Sequence, residues 1–184
     1  AKQVGVENLV DPEYDSLIST GEDVSSSLLA IALNSIKISS RSWRGWQLPI
    51  RTDSFHSNAK IEEIKTNQII NSFKEGVKVA VVSGFQGIEQ AGRITTLGRG
   101  GSDTSAVAIA AAIDAERCDI YTDVSGIYTT DPRIKRNASK LKKISFEEML
   151  EMASLGANVL QTRAVELAMR HKVPIRVLNS FLKE

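Results

Sequence analysis

The chain has 184 residues, 42% of them hydrophobic and 24% charged, with a formal net charge of +1. That length suits one domain with a sizeable core, and the near-neutral balance supplies no field for nucleic acid or a membrane surface. No apolar run approaches the ~20 residues of a membrane span, and the lone cysteine, Cys118, excludes an internal disulfide and suits a reducing, cytoplasmic compartment. No basic-then-apolar leader opens the sequence. It starts at Ala1 rather than methionine, which suggests processing or a fragment of something longer.

Residues 1–13 are polar and end in Asp11-Pro12, a turn signal. Tyr14 to Ser19 reads as a short strand centred on Leu17 and Ile18. The spacing of Leu28, Leu29, Ile31, Ala32 and Leu33 is helical, and Thr20 with Asp23 resembles a capping box at that helix's start. Glu22 then sits in the first turn. It is either an acid that favours the helix dipole or a carboxylate aimed at a substrate cation from a strand-to-helix turn. Leu48-Pro49-Ile50 reads as an edge strand, because proline lacks the N–H a central strand needs. His56 lies in a polar loop and reads as a solvated surface group. Ile61 and Ile64 suggest a short strand, and Ile69, Ile70 and Phe73 an amphipathic helix ending at Gly76. Val77 to Val82 is β-branched and buried in character, and Ser83-Gly84-Phe85-Gln86-Gly87 reads as the turn that ends it.

From Gly98 to Asp103 six residues hold three glycines, one cation and one carboxylate, and small apolar residues from Ala106 to Ile113 follow at once. This predicts a glycine-rich loop feeding a helix from Ser102 to about Ala115. Glycine permits close backbone approach, and a helix N-terminus offers unpaired N–H groups and partial positive charge. Together they favour an anion, most often phosphate. Arg99 adds a fixed charge with bidentate geometry. Asp103 repels phosphate, so it is either a cap or a group needed for chemistry.

Cys118 to Thr122 is a predicted strand, followed by a turn at Thr122-Asp123-Val124-Ser125-Gly126-Ile127-Tyr128. Hydroxyls, Tyr128 and Arg133 near a strand end suit a nucleotide, or else form an ordinary hydrogen-bonded loop. Between Arg133 and Lys143 lie six Lys or Arg residues, read as a solvated face. Phe146, Met149, Leu150 and Ala153 form a helical stripe capped by Gly156. Val165, Ala168 and Met169 mark another helix, with His171 near its C-terminus, and Pro174 to Leu178 a last strand.

Four stretches together resemble the kinase domain of the aspartate kinases, within the amino acid kinase family. They are Ser19-Thr20-Gly21-Glu22, Ser83-Gly84-Phe85-Gln86-Gly87, Gly92 to Asp103, and Thr122 to Arg133. Their order and spacing agree with that family, and the resemblance covers nearly all of the chain. It implies a three-layer α/β/α sandwich around a mostly parallel sheet, here as a single incomplete domain over residues 1–184. It also implies transfer of the ATP γ-phosphoryl group to the side-chain carboxylate of L-aspartate, the entry step to lysine, threonine and methionine. Arg99 would hold a substrate carboxylate and Glu22 the α-amino group, with Phe85 and Ser102 shaping the pocket. Asp103 would orient the other groups around the phosphoryl. Thr122, Asp123, Tyr128 and Arg133 would hold the nucleotide, and Mg²⁺ would bridge phosphate oxygens with few protein ligands.

The sequence departs from the family pattern in several places. Asn158 stands where the family has a lysine that helps bind ATP, and Gln161-Thr162 where a His-Pro pair often occurs. The family's opening Lys-Phe-Gly-Gly-Thr-Ser stretch, whose lysine stabilises the transferred phosphoryl group, does not occur here. Neither do the regulatory domains that follow the kinase domain. The chain therefore resembles the later two thirds of a kinase domain, completed in a homo-oligomer or by a second chain. The alternative is a non-catalytic nucleotide-binding remnant or subunit. A third possibility is a family member acting on glutamate or a nucleotide, although Gly21-Glu22 with Arg99 favours aspartate. No G-x-x-x-x-G-K-[ST] occurs, which argues against a P-loop kinase, and Asp103 stands where a dinucleotide fingerprint needs its third glycine, which argues against a dinucleotide enzyme.

Overall fold

The computed structural model describes residues 11–130, 134–156 and 159–182. Helix α1 (Pro12–Ser35) opens it and runs for 24 residues. Asp11 caps it, its side chain accepting the Glu13 N–H, and Pro12 occupies the first turn, where its fixed φ is pre-organised and its missing N–H costs nothing. Tyr14 to Ser19 is therefore not a strand, and Thr20 and Asp23 lie inside the helix rather than at a capping box. Two adjacent apolar residues are too few to distinguish the two periods, and the true start signal is the Asp-Pro pair.

Strands β1 (Ser40–Trp43), β2 (Ile50–Thr52) and β3 (Ile61–Ile64) follow, then helix α2 (Asn67–Lys74) and strands β4 (Val79–Val82), β5 (Gln86–Ile88) and β6 (Ile94–Thr96). The second half contains α3 (Gly101–Ala112), β7 (Cys118–Thr122), α4 (Phe146–Ser154), α5 (Thr162–His171) and β8 (Ile175–Asn179). Three strand pairings are parallel, β1 with β4, β2 with β5 and β7 with β8, and two are antiparallel, β2 with β3 and β5 with β6. The α/β class with mostly parallel pairing is thus as expected. Among the described residues the strands form three hydrogen-bonded sheets, β1–β4, β3–β2–β5–β6 and β7–β8. Strand β2 lies inside the four-stranded sheet and not at its edge. Pro49 stays just outside it, where its carbonyl accepts the Lys65 N–H. The stretch expected as a turn at Ser83–Gly87 already enters β5 at Gln86.

Two apolar cores hold these layers. Val107 and Ala110 of α3 meet Cys118 and Ile120 of β7, Met149 of α4, and Ala164, Val165 and Ala168 of α5. Trp43, Leu48, Ile50 and Ile69 form the second core. Helix α1 packs against β1, β4 and β6, which places its middle beside the turn leaving β4. Its outer face leaves Leu17, Val24, Leu28 and Ile31 exposed. No helix among the described residues is long and apolar enough to cross a membrane.

Candidate active site

The chain leaving β4 turns at Ser83, Gly84 and Phe85 directly over the N-terminus of α3. A Cβ on Gly84 would come within 2.9 Å of Ser105 Oγ, so the turn needs glycine there. Phe85 adopts φ 67°, in the left-handed region that side chains disfavour. It is held there from both sides. Its N–H donates to Ser105 Oγ at 3.2 Å and its carbonyl accepts the Leu97 N–H at 2.9 Å. Non-glycine residues held in this region cluster at functional sites. Its ring packs on Gly101, where a Cβ would lie 2.8 Å from Phe85 Cδ2.

The loop opposite is the predicted glycine-rich stretch. Gly98 and Gly100 have φ of 74° and 68°, and a Cβ on Gly100 would sit 1.6 Å from Gln161 Cγ. Helix α3 starts at Gly101, with no side-chain cap. Thr104 N–H bonds Gly100 O and Gly101 N–H bonds Gly98 O, while the N–H groups of Ser102 and Asp103 have no acceptor among the described residues. An anion at this end would meet free donors and the positive end of the helix dipole. Arg99 is exposed and unpaired among the described residues, and Ser102 is exposed beside it. Asp103 is not the cap of its own helix. It lies in the first turn of α3, and burial pushes its carboxyl pKa up while the backbone N–H of Gln161 partly offsets this. The structure therefore brings Phe85, Arg99, Ser102 and Asp103 into one neighbourhood.

Glu22 is corrected in position: it lies in the middle of α1, not at a strand-to-helix turn. It shares a helix face with Ser19 and Ser26, which are three and four residues away. That face meets the Phe85 turn. Ser26 Oγ and Ser83 Oγ are 2.9 Å apart, and Gln86 Nε2 donates to Ser19 O at 3.3 Å and to Asp23 Oδ1 at 3.0 Å. Helix α1 thus carries Glu22 between the two serines that meet this turn.

The supporting network was not foreseen. Asp15 on α1 is completely buried. It accepts the Thr96 N–H at 2.9 Å, the Thr96 hydroxyl at 2.7 Å, the Ser57 N–H at 2.9 Å and the Ser57 hydroxyl at 3.2 Å. His56 Nδ1 lies 2.9 Å from its Oδ2 and donates to it, since a carboxylate only accepts. Burial raises the Asp15 pKa, but the bonds from Thr96, Ser57 and His56 outweigh it and hold the pKa below the ordinary value. His56 is thus no solvated surface group, its side chain being only 12% exposed. A polar loop hid a histidine whose partner lies 41 residues away.

The nucleotide candidates form a second group. Thr122 ends β7, and Asn179 at the end of β8 donates to Asp123 O at 3.2 Å and to Ser125 Oγ at 3.3 Å. Tyr128 pairs with Lys140 in an isolated bridge that closes the 126–141 excursion. Gly126 has φ 142°, a backbone conformation that side chains rarely adopt, so glycine suits this position. Arg133 and Asn158 lie outside the described residues. No hydrogen bond joins Thr122, Asp123 or Tyr128 to Arg99, Ser102 or Asp103 among the described residues. A cavity of about 940 Å³ lies along β8 and the 140–146 segment and contains none of the Arg99 group. Its walls are mainly apolar, including Ile127, Leu141 and Val177, with Lys140, Lys142 and Lys143 also lining it.

With this geometry in hand, comparison with known proteins finds that the amino acid kinase family matches residues 3–179. The aspartate kinase Ask_LysC of Stutzerimonas stutzeri is 55% identical over 98% of this chain and 43% of its own length. The aspartokinase of Rickettsia felis is 55% identical over 92% of this chain and 42% of its own length. Among solved structures, Escherichia coli aspartokinase III in complex with aspartate and ADP superposes with a TM-score of 0.84 at 38% identity, over 92% of this chain and 39% of that one. The Synechocystis aspartate kinase gives 0.83 at 44% identity, over 100% of this chain and 30% of that one. The chain thus spans about two fifths of the length of the curated relatives it matches.

Proposed function

This chain belongs to the amino acid kinase family, and from that premise we propose that it is the greater part of the catalytic domain of an aspartate kinase, one domain over residues 1–184. The protein transfers the γ-phosphoryl group of Mg-ATP to the side-chain carboxylate of L-aspartate. One observation carries the reading. A strained Phe85 and a left-handed glycine loop converge on the α3 N-terminus, with Arg99 unpaired beside free N–H donors and the Glu22 face of α1 across from them. The identity to aspartate kinases, and the aspartate and ADP in the related E. coli complex, support the choice of substrates.

In this reading Arg99 binds a carboxylate of aspartate and Glu22 its ammonium, so the amino acid is held at both ends. Phe85 and Ser102 wall the pocket. A side-chain carboxylate oxygen attacks the γ-phosphorus, the bond to the bridging oxygen of ADP breaks, and no proton is transferred. Such transfers depend on positioning and charge neutralisation. Asp103 orients its neighbours from the first turn of α3. Thr122, Asp123, Tyr128 and Arg133 hold the nucleotide, with Asn158 at the position of the family's lysine. Mg²⁺ enters with ATP as part of the substrate. The expected setting is a homo-oligomer in the cytoplasm.

Thermal unfolding of the full protein with each ligand tests the substrate assignment. Mg-ATP at ~100 times its Kd adds roughly 2.7 kcal/mol and should raise the midpoint. L-Aspartate should raise the midpoint further, and L-glutamate or UMP should not. A rise with UMP or glutamate in place of aspartate would reassign the acceptor, and no response to Mg-ATP would leave only a remnant.

A further inference from the structure

Gly98 immediately precedes Arg99 in the loop. Its φ of 74° is accessible to few residues besides glycine, and Arg99 itself is bonded to nothing among the described residues. Backbone bonds fix part of the surroundings of Gly98: Leu97 N–H donates to Phe85 O at 2.9 Å, Ala59 N–H to Thr96 O at 2.9 Å and Gly101 N–H to Gly98 O at 3.0 Å. Arg163, in the first turn of α5, ties the two segments together through its side chain. Its Nη1 donates to Leu97 O at 3.1 Å and to Asn58 Oδ1 at 2.7 Å, and its Nη2 donates to Ala59 O at 3.0 Å. The acceptors flank Gly98 in space. Leu97 precedes it in the chain, and Asn58 Oδ1 would lie 3.2 Å from a Cβ placed on Gly98. All three are uncharged, and no carboxylate pairs with Arg163 among the described residues.

We propose that Arg163 is a positioning residue for the acceptor side of the site, a fork that fixes Arg99 by clamping Leu97 and the 58–59 segment together. The proposal rests on the reading of Arg99 as the aspartate-binding cation. A planar guanidinium can address three acceptors on two segments at once, whereas an ammonium is a point charge that cannot match that fork. The same end of α5 meets the loop twice more. Gln161 packs on Gly100, and its N–H bonds Asp103. Helix α5 therefore braces the glycine loop at Gly100 and Asp103, and Arg163 adds side-chain bonds on the Arg99 side to the backbone bonds already there. The contact is invisible to sequence spacing, because its partners lie 104, 105 and 66 residues away.

The test compares Arg163→Met and Arg163→Lys with wild type in the full protein by two readouts. In hydrogen exchange, both variants should speed amide exchange at 97–101 and 58–60 by at least about tenfold, leaving Cys118–Thr122 unchanged. In kinetics, the KM for L-aspartate should rise about tenfold, with the KM for Mg-ATP within about twofold of wild type. A merely structural role would loosen the domain uniformly and move both KM values together, and that result overturns the proposal. Full retention of wild-type behaviour by Arg163→Lys overturns the fork geometry. If wild type does not phosphorylate aspartate, the functional reading fails, and the exchange pattern alone decides the clamp.

Discussion

Replacing Asp15 by alanine removes one acceptor from five donor groups at once. Thr96 N–H is fully enclosed, so its loss of a partner leaves a buried donor unsatisfied, at about 1–3 kcal/mol. The Thr96 hydroxyl, on the same buried residue, adds a similar loss. Ser57 and His56 are part-buried, and water can satisfy them in some measure. The sum is about 3–5 kcal/mol, in line with the cost of breaking a buried charged pair. At about 2–4 °C per kcal/mol for a chain of this size, the midpoint should fall by roughly 6–20 °C. Asp15→Asn should fall between the two, since one carboxamide oxygen still accepts. The folded-state pKa of Asp15 is depressed, so its contribution is present above the ordinary carboxyl pKa and is lost as pH falls through the depressed value. The gap between wild type and Asp15→Asn should accordingly persist at pH 5–8 and close only in strong acid. Thermal melts across that range measure it. A fall of less than about 1 kcal/mol at pH 7 would refute the reasoning and make Asp15 a bystander.

Asp103 has the opposite sign. Its folded pKa is raised by burial, so its ionised form weakens the fold as pH rises through that value. Asp103→Asn should melt at or above wild type near pH 7, lose that advantage below the ordinary carboxyl range, and lower phosphoryl transfer by about 10²-fold. Melting curves at two pH values with a coupled ADP assay decide both. Gly100→Ala meets a left-handed backbone and the Gln161 side chain at 1.6 Å, so it should displace the loop and remove the Mg-ATP-induced rise in midpoint, read in the same melts.

Motif chemistry was more legible in the sequence than topology. The Gly98–Asp103 loop, the helix after it and the Cys118–Thr122 strand stand where composition put them, because glycine and β-branched runs act locally. Helix α1 was half misread. Thr20, Gly21 and Ser25–Ser27 look like a start or a loop, yet tertiary packing on β1, β4 and β6 carries the helix through them. Weak local preference gives way to such packing. The roles of Asp15, His56 and Arg163 depend on partners 41 to 105 residues distant, a separation that no local pattern encodes. One cue was available. Asp15 stands four residues before Ser19 on the helix face that also carries Glu22, and a carboxylate there must find donors if that face is buried.

The most direct measurement is trapping of the acyl phosphate. The full protein, incubated with Mg-ATP, L-aspartate and hydroxylamine, should form the aspartyl hydroxamate in proportion to ADP released. Arg99→Ala should abolish the aspartate dependence while Mg-ATP binding persists. ADP release without hydroxamate, or equal hydroxamate from wild type and Arg99→Ala, would contradict phosphoryl transfer to aspartate at this loop.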